Sequence, residues 1–391
     1  MNNIEFKDEK EKFILIFHGS INSQNSEEIG KTIFDKIDGK DKVVFDFNDV
    51  DFISSAGLRI ILKCGKAISN FEVINVKPEV YEVFDMTGFT QILKISKCLR
   101  EISIEGKELI GEGYMGRVYR LDAETIIKVY YRNSSMEDIR REINLAKTAF
   151  VLGIPTAIPF DIVKVKEGYY GSVFELLNSD CFNNLFIKHP EKTDEYITLY
   201  INLLKEIMSI RVKDGSTIPH KIDVAKAWYN DICNKNVFDT NVLNKMKKLI
   251  DEIPDDNHII HGDFHIKNIM MQGDEPLLID MDTLGVGHEI FEFTAFFLTY
   301  IGYPSTDKNN TMDFLGLSQE TCDKIFYTTI DTIFADRSKQ EREQILDKLA
   351  LFGYFWLVQK TLFFEPQNVV RLEHAKQEVI RLIDKVDSLA F

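Results

Sequence analysis

The run His261-Gly262-Asp263-Phe264-His265-Ile266-Lys267-Asn268, followed by Leu277-Leu278-Ile279-Asp280-Met281-Asp282, constrains this chain more than any other feature in it. A carboxylate, Asp263, precedes an amide, Asn268, by five residues, and a second carboxylate, Asp280, ends an apolar strand. That is the layout of a phosphoryl-transfer site, where a protein supplies positioning and charge neutralisation rather than covalent chemistry. Asp263 can take the proton of an acceptor hydroxyl. Asn268 and Asp280 can hold magnesium against a nucleotide's phosphates.

Upstream, Leu109-Ile110-Gly111-Glu112-Gly113-Tyr114-Met115-Gly116-Arg117-Val118-Tyr119 has the spacing G-x-G-x-x-G-x-V. Gly111, Gly113 and Gly116 would let backbone N–H groups close over phosphates, and Val118 would cover the base. A hairpin with three glycines has the same spelling, so context decides. Thr125-Ile126-Ile127-Lys128-Val129 follows, an apolar strand with one lysine in it. A lysine in a β-branched run is costly unless it meets an anion, here the nucleotide's phosphates. A charged helical stretch comes next, Glu137 to Phe150, with Glu142 the first candidate to pair with Lys128 and Glu137 the alternative. Each piece also has a purely structural meaning: turn residue, helix cap, edge charge, strand-end Asp. Their joint order and spacing favour phosphoryl transfer.

With these residues in place, the segment from about 104 to 390 resembles the aminoglycoside phosphotransferase and choline kinase superfamily, which shares the protein-kinase fold. Gly262 before Asp263 marks the aminoglycoside phosphotransferase branch; protein kinases carry Arg there and choline kinases usually Asn. Asp280-Met281-Asp282-Thr283 and Gly285 to Phe293 resemble that branch's metal motif and the helix after it, with Glu292 where Asp is commoner. The resemblance implies Asp263 as catalytic base, Asn268 and Asp280 as magnesium ligands, Lys128 on the phosphates, and ATP as phosphate donor. Gly171-Ser172-Val173-Phe174-Glu175-Leu176-Leu177 is similar to the hinge that meets adenine through its backbone, which would put Glu175 and Leu177 at the base.

Residues 1–100 have a different pattern. Strands at Phe13–Phe17, Val43–Phe47 and Phe71–Val76 alternate with helices at Ser26–Ile37 and Leu58–Ile68, an α/β sheet with helices packed on it. The loop Asp51 to Arg59 puts Ser54 and Ser55 at the start of a helix beginning near Gly57, as an N-cap or as a phosphate-tolerant site. His18-Gly19-Ser20-Ile21, Ser54 to Arg59, Pro78-Glu79-Val80 and Met86-Thr87-Gly88-Phe89 resemble the STAS domain of anti-sigma-factor antagonists. In regulatory members of that family a loop Ser receives phosphate, which makes Ser55 a candidate phosphosite. Ser54 stands where an acidic residue commonly precedes it.

The expected fold is thus α/β and two-domain. A STAS domain spans 1–100, and a bilobal protein-kinase-like α+β domain spans 101–391, with an N-lobe of about 101–177 and a largely helical C-lobe of about 178–391. Helices are expected at Thr321–Phe334, Glu341–Phe364 and Val369–Leu389, and the aromatics Phe352, Tyr354, Phe355, Trp356, Phe363 and Phe364 are expected in the core. The boundary near Cys98 to Glu101 has no Gly/Ser- or Pro-rich linker.

Five scattered cysteines without C-x-x-C spacing, and a start without a signal peptide, suggest reduced thiols and a cytoplasmic protein. The longest apolar stretch, Phe293 to Tyr303, is far shorter than the ~18 residues a membrane span needs. The net charge is −15, of which residues 1–100 carry −2, so nucleic acid is disfavoured as a partner. The expected reaction is phosphate transfer from ATP with Mg2+ to a hydroxyl of a small molecule. A protein partner or dimerisation through the STAS domain is expected beside it. The first rival, a protein kinase, lacks support because residues 283–312 contain no Ala-Pro-Glu. The second is a regulatory module in which the kinase-like domain senses nucleotide or phosphorylates a STAS serine, its own Ser55 or a partner's.

Overall fold

The computed structural model describes residues 4–9, 12–113, 115–166, 168–177, 180–213 and 218–391. Tyr114 of the glycine motif and the start Met1–Asn3 lie outside the described residues. Two compact units divide the chain: residues 1–103 with 163–168, and residues 104–162 with 169–391.

In the first unit, strands β1 (Ile4–Glu9), β2 (Lys12–Ile21), β3 (Lys42–Ile53), β4 (Asn70–Val76) and β5 (Lys94–Lys97) form one sheet in the order β1-β2-β3-β4-β5. Only β1–β2 is antiparallel; the other pairs are parallel, joined through helices α1 (Ser26–Ile37), α2 (Ser55–Ala67) and α3 (Pro78–Met86). Val43 and Phe45 belong to the apolar core of this unit, and Val44 between them is buried as well, so β3 carries the continuous buried run Val43-Val44-Phe45. Phe45 packs against Phe17 and Phe71 at centroid distances of 4.9 and 4.8 Å.

Helix α2 starts at Ser55, two residues earlier than its pattern suggests. Ser54 is extended and its side chain accepts the Gly57 N–H at 3.3 Å, which lets the first turn form ahead of the apolar stripe. Ser54 is therefore the cap, and Ser55 is exposed on the first turn.

After β6 (Glu101–Ile102), the second unit opens with β7 (Leu109–Glu112), β8 (Gly116–Arg120) and β9 (Thr125–Tyr130). Helix α4 (Met136–Val151), strand β10 (Pro159–Val165) and strand β11 (Tyr169–Glu175) follow. β11, β9, β8 and β7 pair antiparallel in that order. The rest is mainly helical. It contains β12 (Asp180–Cys181), α5 (Phe182–Lys188), α6 (Thr193–Ser209), α7 (Lys221–Lys235), α8 (Thr240–Asp251) and β13 (Ile259–Ile260). Next come β14 (Ile269–Gln272), β15 (Glu275–Leu278), β16 (Gly285–Val286), α9 (Ile290–Phe297) and α10 (Asn310–Leu315). The last three helices are α11 (Gln319–Ile333), α12 (Lys339–Phe364) and α13 (Val369–Leu382).

Helix α9 is buried along its whole length, as an element apolar on every side must be. It is the floor under the polar loops. Two features of the C-terminal helices differ from the pattern-based expectation. α13 stops at Leu382 rather than Leu389, because Val386 and Leu389 are buried as separate anchors of a turned tail. Phe363 and Phe364 are 46% and 60% exposed, since the last turn of α12 runs past the core that holds Phe352, Tyr354 and Phe355. No helix among the described residues is long and apolar enough to cross a membrane.

Candidate functional site

The two polar motifs and the lysine strand converge within the second unit. Lys128, midway along β9, reaches Glu142 of α4 at 2.6 Å and Asp280 at 3.3 Å. Glu137 sits exposed in the first turn of α4, on another side of the helix. Burial works against the Lys128 charge, but Asp280 and Glu142 outweigh it and hold the ammonium well above its usual pKa.

Asp263, Asn268 and Asp280 are tied through the backbone. Asn268 Nδ2 donates to the Asp263 carbonyl at 3.0 Å and to its Oδ2 at 3.1 Å. The N–H of Ile279 donates to the Asn268 carbonyl at 2.8 Å. His261 Nδ1 accepts the Asp263 N–H at 3.2 Å, which leaves Nε2 to donate to the Ile279 carbonyl at 3.3 Å. Burial pushes His261 down to about 4, so its imidazole is neutral and suited to this two-ended role.

Asp263 is half-exposed, and His265 Nε2 lies 3.5 Å from its Oδ2. Burial alone would raise its pKa. The hydrogen bond and charge of His265, helped by Lys360, prevail and hold it below the usual carboxylate range. Asp280 has a left-handed φ of 66°, a sparsely populated conformation for a residue with a side chain. Asp282, two residues on, is pushed up to about 7 by burial and then by the Asp280 charge.

A magnesium ion with a nucleotide fits this donor set. With its Nδ2 turned to Asp263, Asn268 presents its amide oxygen on the other side, and Asp280 offers a carboxylate that is 40% exposed. Magnesium commonly takes one or two such oxygens and completes its shell with water and phosphate.

Two residues support this loop: Glu292, which the sequence marked only as standing where Asp is commoner, and Lys221, which no motif marked. Glu292, 1% exposed in α9, accepts the N–H of His261 at 2.6 Å and of Gly262 at 3.2 Å. Lys221, at the start of α7, donates to the Thr283 carbonyl, and the Thr283 hydroxyl donates to the His261 carbonyl at 2.6 Å. Burial lowers Lys221 to about 8 while Glu292 and Asp282 pull it back up. Gly262 has a φ of 78°, which favours Gly, and a Cβ there would push on Lys221 Nζ at 2.6 Å and crowd the Thr283 carbonyl at 3.2 Å. Nothing local to residues 219–223 signals the role of Lys221.

The glycine motif forms the β7–β8 turn, where the Gly113 N–H donates to the Gly116 carbonyl at 2.9 Å. Gly113 has open space where a side chain would go, whereas a Cβ on Gly116 would overlap the Val129 carbonyl. Val118 pairs with Lys128 across β8–β9. In the hinge-like segment, the Glu175 N–H goes to the Ile158 carbonyl at 2.9 Å and the Leu176 N–H to the Glu124 carbonyl at 2.7 Å. The Leu177 N–H has no hydrogen-bond acceptor among the described residues.

Comparison with known proteins agrees with this architecture. The sequence profile described as the phosphotransferase enzyme family matches residues 108–309, just over half of the chain, and the STAS domain profile matches residues 3–102. The Bordetella bronchiseptica protein BtrV, described as an anti-sigma factor antagonist, is 34% identical over 88 residues, spanning 21% of this chain and 76% of BtrV. Among solved structures, aminoglycoside phosphotransferase APH(4)-Ia aligns with a TM-score of 0.51 at 12% identity, over 71% of this chain and 93% of its own. A thermostable mutant of that enzyme, in ternary complex with ADP and hygromycin B, aligns with a TM-score of 0.50 at 11% identity, over 72% and 94%. At such identity the structural likeness establishes the fold. The chain belongs to the phosphotransferase enzyme family and carries a STAS domain ahead of its phosphotransferase segment.

Proposed function

We infer that the segment from about residue 101 onward transfers the γ-phosphate of ATP to a hydroxyl of a small molecule. The observation that carries this reading is the linked set Asp263–Asn268–Ile279–Asp280, with Lys128 and Glu142 paired beside it. Asp263, kept ionised, accepts the proton of the acceptor hydroxyl as that oxygen bonds to the γ-phosphorus and the β–γ bridging bond breaks, its electrons leaving with ADP. Asn268 and Asp280 would hold magnesium, which when bound neutralises charge on the phosphates. Lys128, oriented by Glu142, contacts the phosphates, and the turn carrying Gly111, Gly113 and Gly116 covers them with Val118 over the base. The Leu177 N–H and the Glu175 backbone would meet adenine.

A small acceptor is favoured over a protein because the chain passes from Asp280 to α9, which begins at Ile290, in too few residues to form a peptide platform. The related enzyme crystallised with ADP and hygromycin B supports nucleotide and small-molecule binding by analogy of fold. A protein partner on the STAS domain is a companion reading, favoured by Ser55 exposed on the first turn of α2. There helix N–H groups would accommodate a phosphate from this chain or another. The five free cysteines suit a reducing, cytoplasmic setting.

The test is the melting temperature with ATP and magnesium. Wild-type protein should gain stability at millimolar Mg·ATP by linkage. Asp280→Ala should lose most of that gain, whereas Asp263→Ala should keep it and lose phosphate transfer. No magnesium-dependent shift in the wild type would remove the basis of this reading.

A further inference from the structure

A cavity of about 190 Å³ lies at the end of α12, lined by Tyr303, Lys360, Thr361, Phe364 and Glu365. Lys360 is within electrostatic reach of Asp263 and Asp282, so the cavity adjoins the loop on which an acceptor hydroxyl would be received. The Lys360 ammonium has no hydrogen-bond or ion-pair partner among the described residues. It rests over the ring of Trp356, 4.8 Å from the centroid, and Trp356 is itself stacked on Trp228 at 4.3 Å. Burial pushes the pKa of Lys360 down, against the pull of Asp263, Asp282 and Glu365.

Most of the nearby carboxylates are held elsewhere; Asp282, whose charge also reaches Lys360, has no hydrogen-bond or ion-pair partner among the described residues and is raised to about 7 by its burial. Glu365 is held by the buried guanidinium of Arg371, through Nη1, and by Asn368 Nδ2 at 3.2 Å. Asp280 faces Lys128, Asp263 faces His265 and Asn268, and Glu292 takes the N–H groups of His261 and Gly262. The Thr361 hydroxyl donates to the Leu357 carbonyl at 2.7 Å. An ammonium that is largely buried and unpaired is costly to keep, and an arriving anion removes the cost.

We propose that the phosphate acceptor is an anionic hydroxy compound, such as a hydroxy or sugar acid, whose anion pairs with Lys360 while its hydroxyl faces Asp263. This rests on the phosphotransferase reading and narrows its acceptor class. The cavity is smaller than the ~300–1,000 Å³ of pockets that enclose drug-sized ligands, which suits the anionic end of a small molecule. Phe364 supplies an exposed apolar wall for the remainder. A polycationic acceptor would bring ammonium groups against Lys360, where Glu365 is already paired.

The experiment uses the full chain, Mg·ATP and acceptors differing only in charge: glycerate, glycerol and 3-amino-1,2-propanediol, then a wider set of hydroxy acids, each with its amide and amine. The acid of each accepted set should lead by roughly tenfold or more in kcat/KM, the scale of one charge-assisted contact. Lys360→Met should raise the acid's KM by a similar factor, Lys360→Arg should restore it, and Lys360→Glu should shift preference to the amine. Each variant's fold is checked by its circular dichroism spectrum. Preference for amines in the wild type overturns the proposal, and so does an acid KM indifferent to all three substitutions. An enzyme that binds Mg·ATP yet phosphorylates no hydroxy acid also overturns it. A wild type not stabilised by Mg·ATP instead overturns the phosphotransferase reading itself, so the two failures are told apart.

Discussion

The carboxylate of Glu292 accepts the backbone N–H of His261 at 2.6 Å from within a helix that is buried on every side. A rigid apolar helix thereby fixes the residue two positions before Asp263. Through His261 Nε2 the same contact extends to Ile279, next to Asp280. The position of the candidate base and of one candidate metal ligand thus depends on a side chain that touches neither.

Glu292→Ala should strand two buried N–H groups and leave Lys221 without its main counter-charge. The expected loss is about 2–4 kcal/mol of stability in denaturant titration. Phosphate transfer should fall on the order of a hundredfold, because a small displacement of a reacting group has that effect. Glu292→Asp should lie between. An alanine variant with wild-type stability and rate would show that the loop is held by other means.

Asp282 gives a pH dependence with a definite sign. Its folded pKa, about 7, is raised from the ordinary carboxylate value of 3.8. Its contribution to stability is therefore fully present below pH 3.8 and is lost as pH rises through about 7. In magnesium-free, nucleotide-free buffer, Asp282→Asn should melt above the wild type at pH 8, by roughly 2–4 °C per kcal/mol gained. The difference should shrink toward acid pH. A gap that widens as pH falls would contradict the assignment.

The glycine turn separates stability from binding. Gly116→Ala should destabilise the protein by about 1–3 kcal/mol, because its Cβ would overlap the Val129 carbonyl on the adjacent strand. Gly113→Ala has open space and should leave the melting temperature nearly unchanged while raising the KM for ATP. Equal melting temperatures for the two variants would mean that the strands part easily at Gly116.

The Lys128 pair distinguishes two glutamates. In Glu142→Ala, Lys128 is left with Asp280 alone and should be drawn onto the carboxylate proposed to hold magnesium. Mg·ATP affinity should fall roughly tenfold to a hundredfold, the scale of a charge-assisted pair. Glu137→Ala, on an exposed turn, should change affinity by less than about a factor of two. Calorimetric titration of both variants decides the matter.

In the STAS unit, the two loop serines should separate cleanly. Ser54→Ala removes the cap on Gly57 and should cost about 1 kcal/mol in the first unit's unfolding transition, while Ser55→Ala should cost less than about 0.5 kcal/mol. If the loop receives phosphate, mass spectrometry after incubation with Mg·ATP should find it on Ser55 in the wild type and not in Asp263→Ala. An unmodified 51–59 peptide from active enzyme would leave the domain as a docking or dimerisation module.

The two-domain α/β and kinase-like architecture was legible because its signals are local. Period-two and helical patterns mark the strands and helices, and the motifs around Gly111, Lys128, Asp263 and Asp280 are short segments of fixed spacing. Boundaries moved where a cap or an anchor outside the apolar stripe took over, at Ser54 for α2 and at Val386 and Leu389 after α13.

What the sequence determined by itself was which residue types sit in each motif and in what order. What only the tertiary structure decided was who faces whom. The sequence put Glu142 first and left Glu137 open as the alternative; five residues of helix turn the two about 140° apart, and Glu142 alone meets Lys128. Lys221 and Lys360 carry no local signal, because each acts on a loop supplied by a distant segment, and the motif around Glu292 did not show which N–H groups it would hold. Lys360 sits in a helix whose pattern marks only core packing, and the end of that helix outruns the core and opens the cavity. Sequence periodicity records which side of an element is buried; it does not record which charges burial brings together, and those charges set the chemistry of this site.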